Sequence, residues 1–332
     1  MLLAHAVLAS VGVAALCSET ARAETLTLYS AQHPQMVTQL TEAFSKQTGV
    51  KVRIRAGEAP EIASQIVQEG SASPADVYFT ENSPELVLLD EKGLLAPVDK
   101  ATLADVPARF SAETGDWVGV LVRENVLAFN PSMIGADKLP PSLLDLARPE
   151  WKGRVAIAPA DADFLPLVEA VVKLKDRATA LAWLKALKVN AQVFDDDEGV
   201  VAAVERGAVA TGIVNNYYWA RMHQEKGAAT KSEIHHFGGG DVGGLLNVSG
   251  AAVLKSSKHQ AIAQKFLAFL VSRPTQTELA AGNVDFEYPL AKDVKANPLL
   301  KPFDQLDPPS ISVKNLGDDQ DAAKLLREAG LL

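Results

Sequence analysis

Cysteine is nearly missing from this sequence, and its single example lies close to the start. Cys17 is the only cysteine among 332 residues, and it falls in a segment that we expect to be removed. A mature chain without cysteine cannot form a disulfide, use a thiolate nucleophile or bind zinc through sulfur. Leu16 precedes Cys17, whereas a lipid-attachment motif requires a small residue there, which argues against a lipid anchor.

Long apolar runs are also missing after the first residues. Residues 2–16 are nearly uncharged and apolar, and a short polar stretch leads from them to Ala21-Arg-Ala23. That order of segments, with its A-x-A pattern, predicts a signal peptide over residues 1–23 and export of the rest. The apolar run is too short for a comfortable transmembrane helix, and we expect no membrane span in the mature form.

Positive charge is in deficit. The sequence has 32 Lys and Arg against 41 Asp and Glu, which gives a formal net charge of -9. Such a chain offers no basic field to hold phosphates, which argues against nucleic acid and anionic membranes as partners. An acidic balance is compatible with a cationic ligand.

The short motifs of common hydrolases are missing as well. The sequence contains no H-E-x-x-H, no G-x-S-x-G and no carboxylate-rich two-metal cluster. A metal-dependent hydrolase would need a metal with an open water position and a placed general base. We therefore do not expect an enzyme. An exported metal-dependent hydrolase remains only as a weak alternative.

What the sequence does contain is a regular alternation of strand and helix patterns. Predicted strands lie at residues 26–29, 52–54 and 75–79, and predicted helices follow them from Pro34 to Gly49, at 61–69 and at 84–92. This β-α-β-α-β order is typical of a parallel sheet with helices on both faces. The first part of the chain is therefore predicted to be an α/β unit.

The length and two long strand patterns indicate a second unit. A chain of 332 residues exceeds one comfortable core. Residues 117–129 predict a first crossing between two lobes, and residues 248–253 predict the return crossing. We predict an N-terminal lobe from residues 24–122 and 253–286, a C-terminal lobe from residues 123–252 and 287–332, and a ligand cleft between them.

Two adjacent tyrosines follow a predicted strand in the run Asn215-Asn-Tyr-Tyr-Trp219. Within a strand Tyr217 and Tyr218 would point to opposite faces, but at a strand-to-helix junction both phenols can lean over one cleft. A pair of phenolates suits a small, hard, highly charged cation, which favours oxygen donors and displaces the phenol protons. The alternative is that the aromatic run only packs at the start of a helix.

An imidazole and a carboxylate follow two other predicted strands. His33 comes after the first strand, and Glu81 comes after the third. Either side chain alone could be an ordinary solvated loop residue. If both meet the two tyrosines from the other lobe, the four side chains form a metal site that holds the hinge closed.

Four runs of the sequence stand out together. They are Tyr29-Ser-Ala-Gln-His33, Ala75-Asp-Val-Tyr-Phe-Thr-Glu81, Asn215-Asn-Tyr-Tyr-Trp219 and Ser249-Gly-Ala-Ala-Val-Leu-Lys255. These runs resemble one known family, the periplasmic ferric-iron-binding proteins of bacterial iron importers. The resemblance covers nearly the whole mature chain, and its most specific element is the Asn-Asn-Tyr-Tyr-Trp run.

The resemblance implies a function as well as a fold. In that family iron(III) is coordinated by residues that match His33, Glu81, Tyr217 and Tyr218 of this sequence. It implies the two-lobed periplasmic solute-binding fold with two crossing strands. It also implies a carrier that delivers Fe3+ to an inner-membrane ABC permease. We expect the mature chain to be a monomer.

One stretch departs from the family pattern. Many members complete the iron shell with a synergistic anion, carbonate or phosphate, held by a Ser/Thr/Gly-rich loop at a helix N-terminus. Residues 159–164 of this chain place Asp161 and Asp163 there, and both would repel an anion. Either they cap a helix, or one of them replaces the anion; Arg123 could neutralise an anion or pair with an aspartate. Asn215 comes just before the two tyrosines. With Asp161, Asp163 and Arg123, it is a candidate to contact the anion or to support a metal ligand.

Two other hypotheses compete with the ferric carrier. The same fold could carry a small oxyanion or an organic acid, although the paired tyrosines among acidic rather than basic residues argue against that cargo. The exported hydrolase is less favoured still, because two phenolates would weaken the Lewis acidity of a bound metal.

Overall fold

The computed structural model describes residues 24–282 and 284–332. The predicted signal peptide, with Cys17, lies outside these residues. The strands are β1 Thr25–Ala31, β2 Lys51–Ala56, β3 Val77–Thr80, β4 Leu95–Ala96, β5 Val118–Phe129, β6 Val155–Ile157, β7 Ala191–Val193, β8 Thr211–Asn215, β9 Glu233–His235, β10 Leu246–Leu254 and β11 Tyr288–Pro289.

Helices follow most of the parallel strands, as the alternating pattern predicts. They are α1 Pro34–Thr48, α2 Ala59–Glu69, α3 Pro84–Glu91, α4 Lys100–Ala104, α5 Phe164–Leu174, α6 Arg177–Asn190, α7 Asp197–Glu205, α8 Asn216–Lys226, α9 Gln260–Val271, α10 Arg273–Ala281, α11 Val313–Leu316 and α12 Gln320–Ala329. Of the helices in the described ranges, none combines the length and the apolar character needed to cross a bilayer.

Helix α1 shows why these segments fold as predicted. Pro34 occupies its first turn, where a missing N–H costs nothing, and Val37, Leu40 and Phe44 lie buried on one face. Gly49 ends the helix with φ of 76°, and its N–H donates to the Ser45 carbonyl at 2.8 Å. A left-handed residue of this kind is the usual place for glycine.

Strand β5 belongs to both halves of the sheet. The strand order is β2-β1-β3-β10-β5-β8-β6-β7, with β1 parallel to β2 and β3, and β6 parallel to β7 and β8. The first half of β5, up to Glu124, pairs with β10, and its second half, from Asn125, pairs with β8. The predicted first crossing strand is therefore present, and the predicted return strand, β10, begins at Leu246 beside the point where β5 changes partners.

Apolar side chains form separate cores on the two sides of this junction. One core gathers side chains of β1, α1, β3 and α9, and the largest core on the other side gathers side chains of α5, α6 and α12. The two-lobed α/β architecture predicted from the sequence is confirmed. The exact lobe boundaries stay a prediction. Because Tyr288, Leu290 and Leu300 pack in the first core, we propose that the last boundary lies after residue 300 rather than at residue 287.

Candidate metal centre

His33 and Glu81 meet because their strands are neighbours. β1 and β3 run parallel with Ala31 opposite Thr80, so the residues that follow both strands leave the sheet at the same edge. His33 lies directly before α1, and its Nε2 is 3.4 Å from Glu81 Oε2. The two side chains that the sequence singled out in the first lobe are therefore adjacent.

The two tyrosines reach the same place from the second lobe. Both lie in the first turn of α8, directly after β8, and their ring centroids are 4.0 Å apart. The Tyr217 ring lies 4.8 Å from the His33 ring. Tyr217 is fully buried and packs, with Ala220, in the core of the first lobe. The structure thus brings all four predicted metal residues together at the interface of the lobes.

Asp163 and Arg123 form a buried ion pair behind these residues. Arg123 Nη2 is 2.7 Å from Asp163 Oδ1, and both side chains are almost fully buried. The Tyr217 hydroxyl donates to Asp163 Oδ2 at 3.2 Å, and Asn82 Nδ2 donates to Asp163 Oδ1 at 3.3 Å. A carboxylate of the second lobe therefore contacts a candidate ligand while an arginine neutralises it.

Unlike Asp163, Asp161 and Asn215 form hydrogen bonds that do not involve the four candidate ligands. Both carboxylate oxygens of Asp161 accept backbone N–H groups, from Asp163 at 3.0 Å and from Asp197 at 3.1 Å. Asn215 is the residue before α8, but its side chain makes no capping hydrogen bond; it accepts one from Asn247 Nδ2 at 3.4 Å. Asp161 thus fixes its own loop, and of the two aspartates only Asp163 contacts both Arg123 and Tyr217.

Burial controls the protonation of the four predicted ligands. Burial, with help from Arg123 and Arg221, lowers the pKa of His33 to about 4, so the imidazole is neutral near pH 7. Burial, followed by the charge of Asp163, raises the pKa of Glu81 well above its ordinary range.

The phenols and Asp163 show the same influences. Burial and then Asp163 also raise the pKa values of Tyr217 and Tyr218. Burial alone would raise the pKa of Asp163 itself, but the charge of Arg123 and the hydrogen bonds to this carboxylate together lower that pKa. The ion-free site therefore holds protons that a bound cation would displace.

The sequence analysis did not single out two further acids, which lie beside His33 and outside the four predicted ligands. Glu287 has no exposed side-chain surface, accepts a hydrogen bond from Ser249 Oγ at 2.6 Å, and places Oε1 3.9 Å from His33 Nδ1. Asp285, also buried, lies within reach of the same histidine. The two acids are two residues apart, the spacing of side chains that share one side of a strand. That pattern could have suggested a pair, but not its location.

The comparisons with known proteins agree with this architecture. A model of the bacterial extracellular solute-binding proteins matches residues 39–304. The chain is 40% identical to the Fe(3+)-binding periplasmic protein of Serratia marcescens, over 98% of this chain and 97% of that one. It is 36% identical to the major ferric iron-binding protein of Neisseria meningitidis, over 96% of each. The structure of iron-bound HitA from Pseudomonas aeruginosa has a TM-score of 0.88 at 43% identity, covering 92% of this chain and 99% of that one. With a family model that covers most of its length and relatives aligned almost end to end, this chain belongs to the bacterial extracellular solute-binding protein family.

Proposed function

We propose that the protein is a periplasmic carrier that binds ferric iron between its lobes and delivers it to an ABC-type permease of the inner membrane. The observation that carries this proposal is the convergence of His33, Glu81, Tyr217 and Tyr218 from both lobes. Two phenolates, a carboxylate and an imidazole suit a hard trivalent cation. Relatives named for ferric iron binding support the same cargo.

The charges of the four side chains favour a trivalent ion. Fe3+ with ionised Glu81 and two tyrosinates sums to zero, and neutral His33 adds a donor without charge. A closed, largely dry site avoids a large desolvation cost only when its net charge is near zero. A divalent ion would leave the same four ligands with one net negative charge.

The arrangement supports a carrier rather than the two alternatives. Donors from both lobes would hold the hinge closed on the ion until the permease separates them. An oxyanion cargo would need a free guanidinium, yet Arg123 is already paired with Asp163. Hydrolysis would need an open coordination position and a strong Lewis acid, and two phenolates weaken the Lewis acidity of a bound metal.

A visible-light titration tests this proposal. Metal-stripped mature protein titrated with ferric citrate should develop a broad tyrosinate-to-iron charge-transfer band that saturates at one ion per chain. The variant Tyr217→Phe/Tyr218→Phe should show no band, because both phenolate donors are gone. Tyr78→Phe is the matched control: Tyr78 is a buried tyrosine of β3, outside the site, and the band should stay. A folded wild-type protein without the band would contradict the ferric function.

We also propose that Asp163 takes the place of an external synergistic anion. Its carboxylate lies between Arg123 and Tyr217, at 2.7 and 3.2 Å, and so already takes the place beside the guanidinium that an anion would need. An added carbonate or phosphate would have to displace this carboxylate from Arg123. The chain's own carboxylate therefore makes an exogenous anion unnecessary.

Anion dependence of iron binding distinguishes the two arrangements. Wild-type protein should bind ferric iron equally well in carbonate- and phosphate-free buffer and in buffer with either anion. Asp163→Ala frees Arg123 and opens space beside it, so ferric binding should weaken at least about tenfold and recover when phosphate is added. Asp161→Asn should remain independent of anions, because Asp161 does not contact Arg123. Wild-type binding that requires an anion would refute this assignment.

A further inference from the structure

Three buried polar atoms face one another on the far side of His33 from Glu81. In the described part of the chain, His33 Nδ1, Asp285 Oδ1 and Glu287 Oε1 are buried and have no hydrogen-bond partner. A buried polar atom without a partner loses its hydrogen bonds to water and gains none in return, so such atoms rarely cluster without a reason. None of the three faces the four proposed ferric ligands, because Nε2, 3.4 Å from Glu81 Oε2, is the imidazole nitrogen on that side.

The spacing of these atoms fits an ion better than a hydrogen bond. One donor atom from each of the three residues lies within 4.8 Å of the others. His33 Nδ1 and Glu287 Oε1 are 3.9 Å apart, which is too long for a hydrogen bond. Ligands bound to one metal at about 2.0–2.2 Å are separated by about 3 to 4.4 Å, so a small contraction of this cluster would enclose a cation.

The charges of the cluster select a divalent ion. Arg123 lies 3.9 Å from the Oε2 atom of Glu287, but it is already paired with Asp163 at 2.7 Å. Two carboxylates and a neutral imidazole therefore remain to balance a charge of +2, whereas a trivalent ion would leave an excess positive charge in a buried place. The other oxygen of Glu287 is already satisfied by Ser249 at 2.6 Å, which holds the carboxylate in position. A nitrogen donor beside two carboxylates suits Zn2+, Fe2+ or Mn2+ better than Mg2+ or Ca2+.

We propose that His33, Asp285 and Glu287 form a second metal site, for a divalent transition-metal ion, beside the ferric centre. The site needs two carboxylates that the ferric set does not include, so it does not depend on the ferric function. It shares His33 with that function. An imidazole that binds a metal through Nδ1 keeps its proton on Nε2, where it can donate to Glu81 instead of binding iron. The two ions therefore compete for one histidine.

Zinc is the probe for this site, measured by titration calorimetry on metal-stripped mature protein. Wild type should bind one Zn2+ that is lost from the variant Asp285→Asn. Loss of an outer-shell partner of a metal site costs about 10–100-fold in affinity, and loss of a direct ligand should cost at least about 100-fold. Glu287→Gln should weaken Zn2+ binding to a similar degree. Zinc bound to wild type should also raise the apparent Kd for ferric iron, and this competition should disappear in Asp285→Asn.

Two controls separate the divalent site from the ferric one. Asp285→Asn should keep the ferric charge-transfer band, which also shows that the variant is folded. Tyr217→Phe/Tyr218→Phe should lose that band. It should still bind Zn2+ with a Kd within about twofold of wild type, which corresponds to about 0.4 kcal/mol in binding free energy. The proposal is wrong if wild type binds no Zn2+, if Asp285→Asn binds it equally well, or if the tyrosine variant loses it. A ferric band missing from wild type would leave the zinc result intact and would contradict only the ferric function.

Discussion

Ferric iron should leave this protein steeply as the pH falls, with the apparent affinity dropping about 100-fold for each pH unit. Two units of acidification would then weaken binding about 10,000-fold on the same basis. This is the largest change that the site geometry predicts for iron binding. Its cause is the protonation of the two phenols that the ion must displace.

The sign of this effect follows from the direction of the pKa shifts. Burial and then Asp163 raise the pKa values of Tyr217 and Tyr218, so the iron-free protein keeps both phenol protons at neutral pH. Binding of Fe3+ releases them, and a lower pH drives the reverse reaction. Glu81, whose pKa burial also raises, adds a further proton wherever it is protonated without iron. Two released protons are therefore the minimum, and the apparent affinity should change by at least about 100-fold per pH unit.

The measurement is the change of the apparent iron affinity with pH. Iron bound to the protein would be followed through its charge-transfer band, in competition with a chelator of known protonation constants, at half-unit pH steps from 8 to 5. Tyr218→Phe removes one displaced proton, so its slope should fall to about tenfold per pH unit. A wild-type slope near zero would show that the tyrosines do not bind iron as phenolates.

Replacing Arg123 by methionine should lower the free energy of unfolding by about 3–5 kcal/mol, because it leaves buried carboxylates without their cation. Arg123 is fully buried, 2.7 Å from Asp163 and 3.9 Å from Glu287. It also donates hydrogen bonds to the Glu81 carbonyl and to Asn82. Methionine fills similar space, so lost charge and lost hydrogen bonds dominate the cost.

Urea unfolding of the iron-free protein measures this cost. The surface pair Lys314–Glu113, at 2.9 Å with both side chains more than 60% exposed, supplies the control. Lys314→Met should change the free energy of unfolding by less than about 1 kcal/mol. Adding Asp163→Leu to Arg123→Met should recover part of the loss, because the unpaired carboxylate is then gone. Equal, small losses in Arg123→Met and Lys314→Met would show that the buried pair is not important for stability.

Much of the fold could be read from local patterns. The start and end of α1 follow from Pro34, the periodic apolar residues and Gly49, all within one stretch of sequence. The two long strand patterns predicted β5 and β10 because buried strands are continuous apolar runs. The return of residues 288–300 to the first core carries no local pattern, since it depends on contacts with distant strands.

The candidate site also contains residues that the sequence predicted and residues that it did not. His33, Glu81, Tyr217 and Tyr218 each follow a predicted strand, and strand ends are where the ligands of such folds gather. The two aspartates of the loop before α5 could not be told apart by sequence. Only the structure shows that Asp161 is occupied with backbone N–H groups while Asp163 contacts Arg123. The sequence analysis did not identify Glu287, because no residue near it in the chain indicates that it lies beside His33.

The burial of Tyr217 means that opening the cleft must expose apolar surface as well as break metal bonds. This tyrosine belongs to a helix of the second lobe, yet its ring and Ala220 pack in the apolar core of the first. Any movement that separates the lobes at α8 transfers that ring to water, at a cost of about 1.5–3 kcal/mol for a side chain of this size. Closure is thus favoured by hydrophobic contact as well as by the ion. Release should therefore need a docking partner that compensates for the exposed ring, and simple dilution of the iron should not open the cleft.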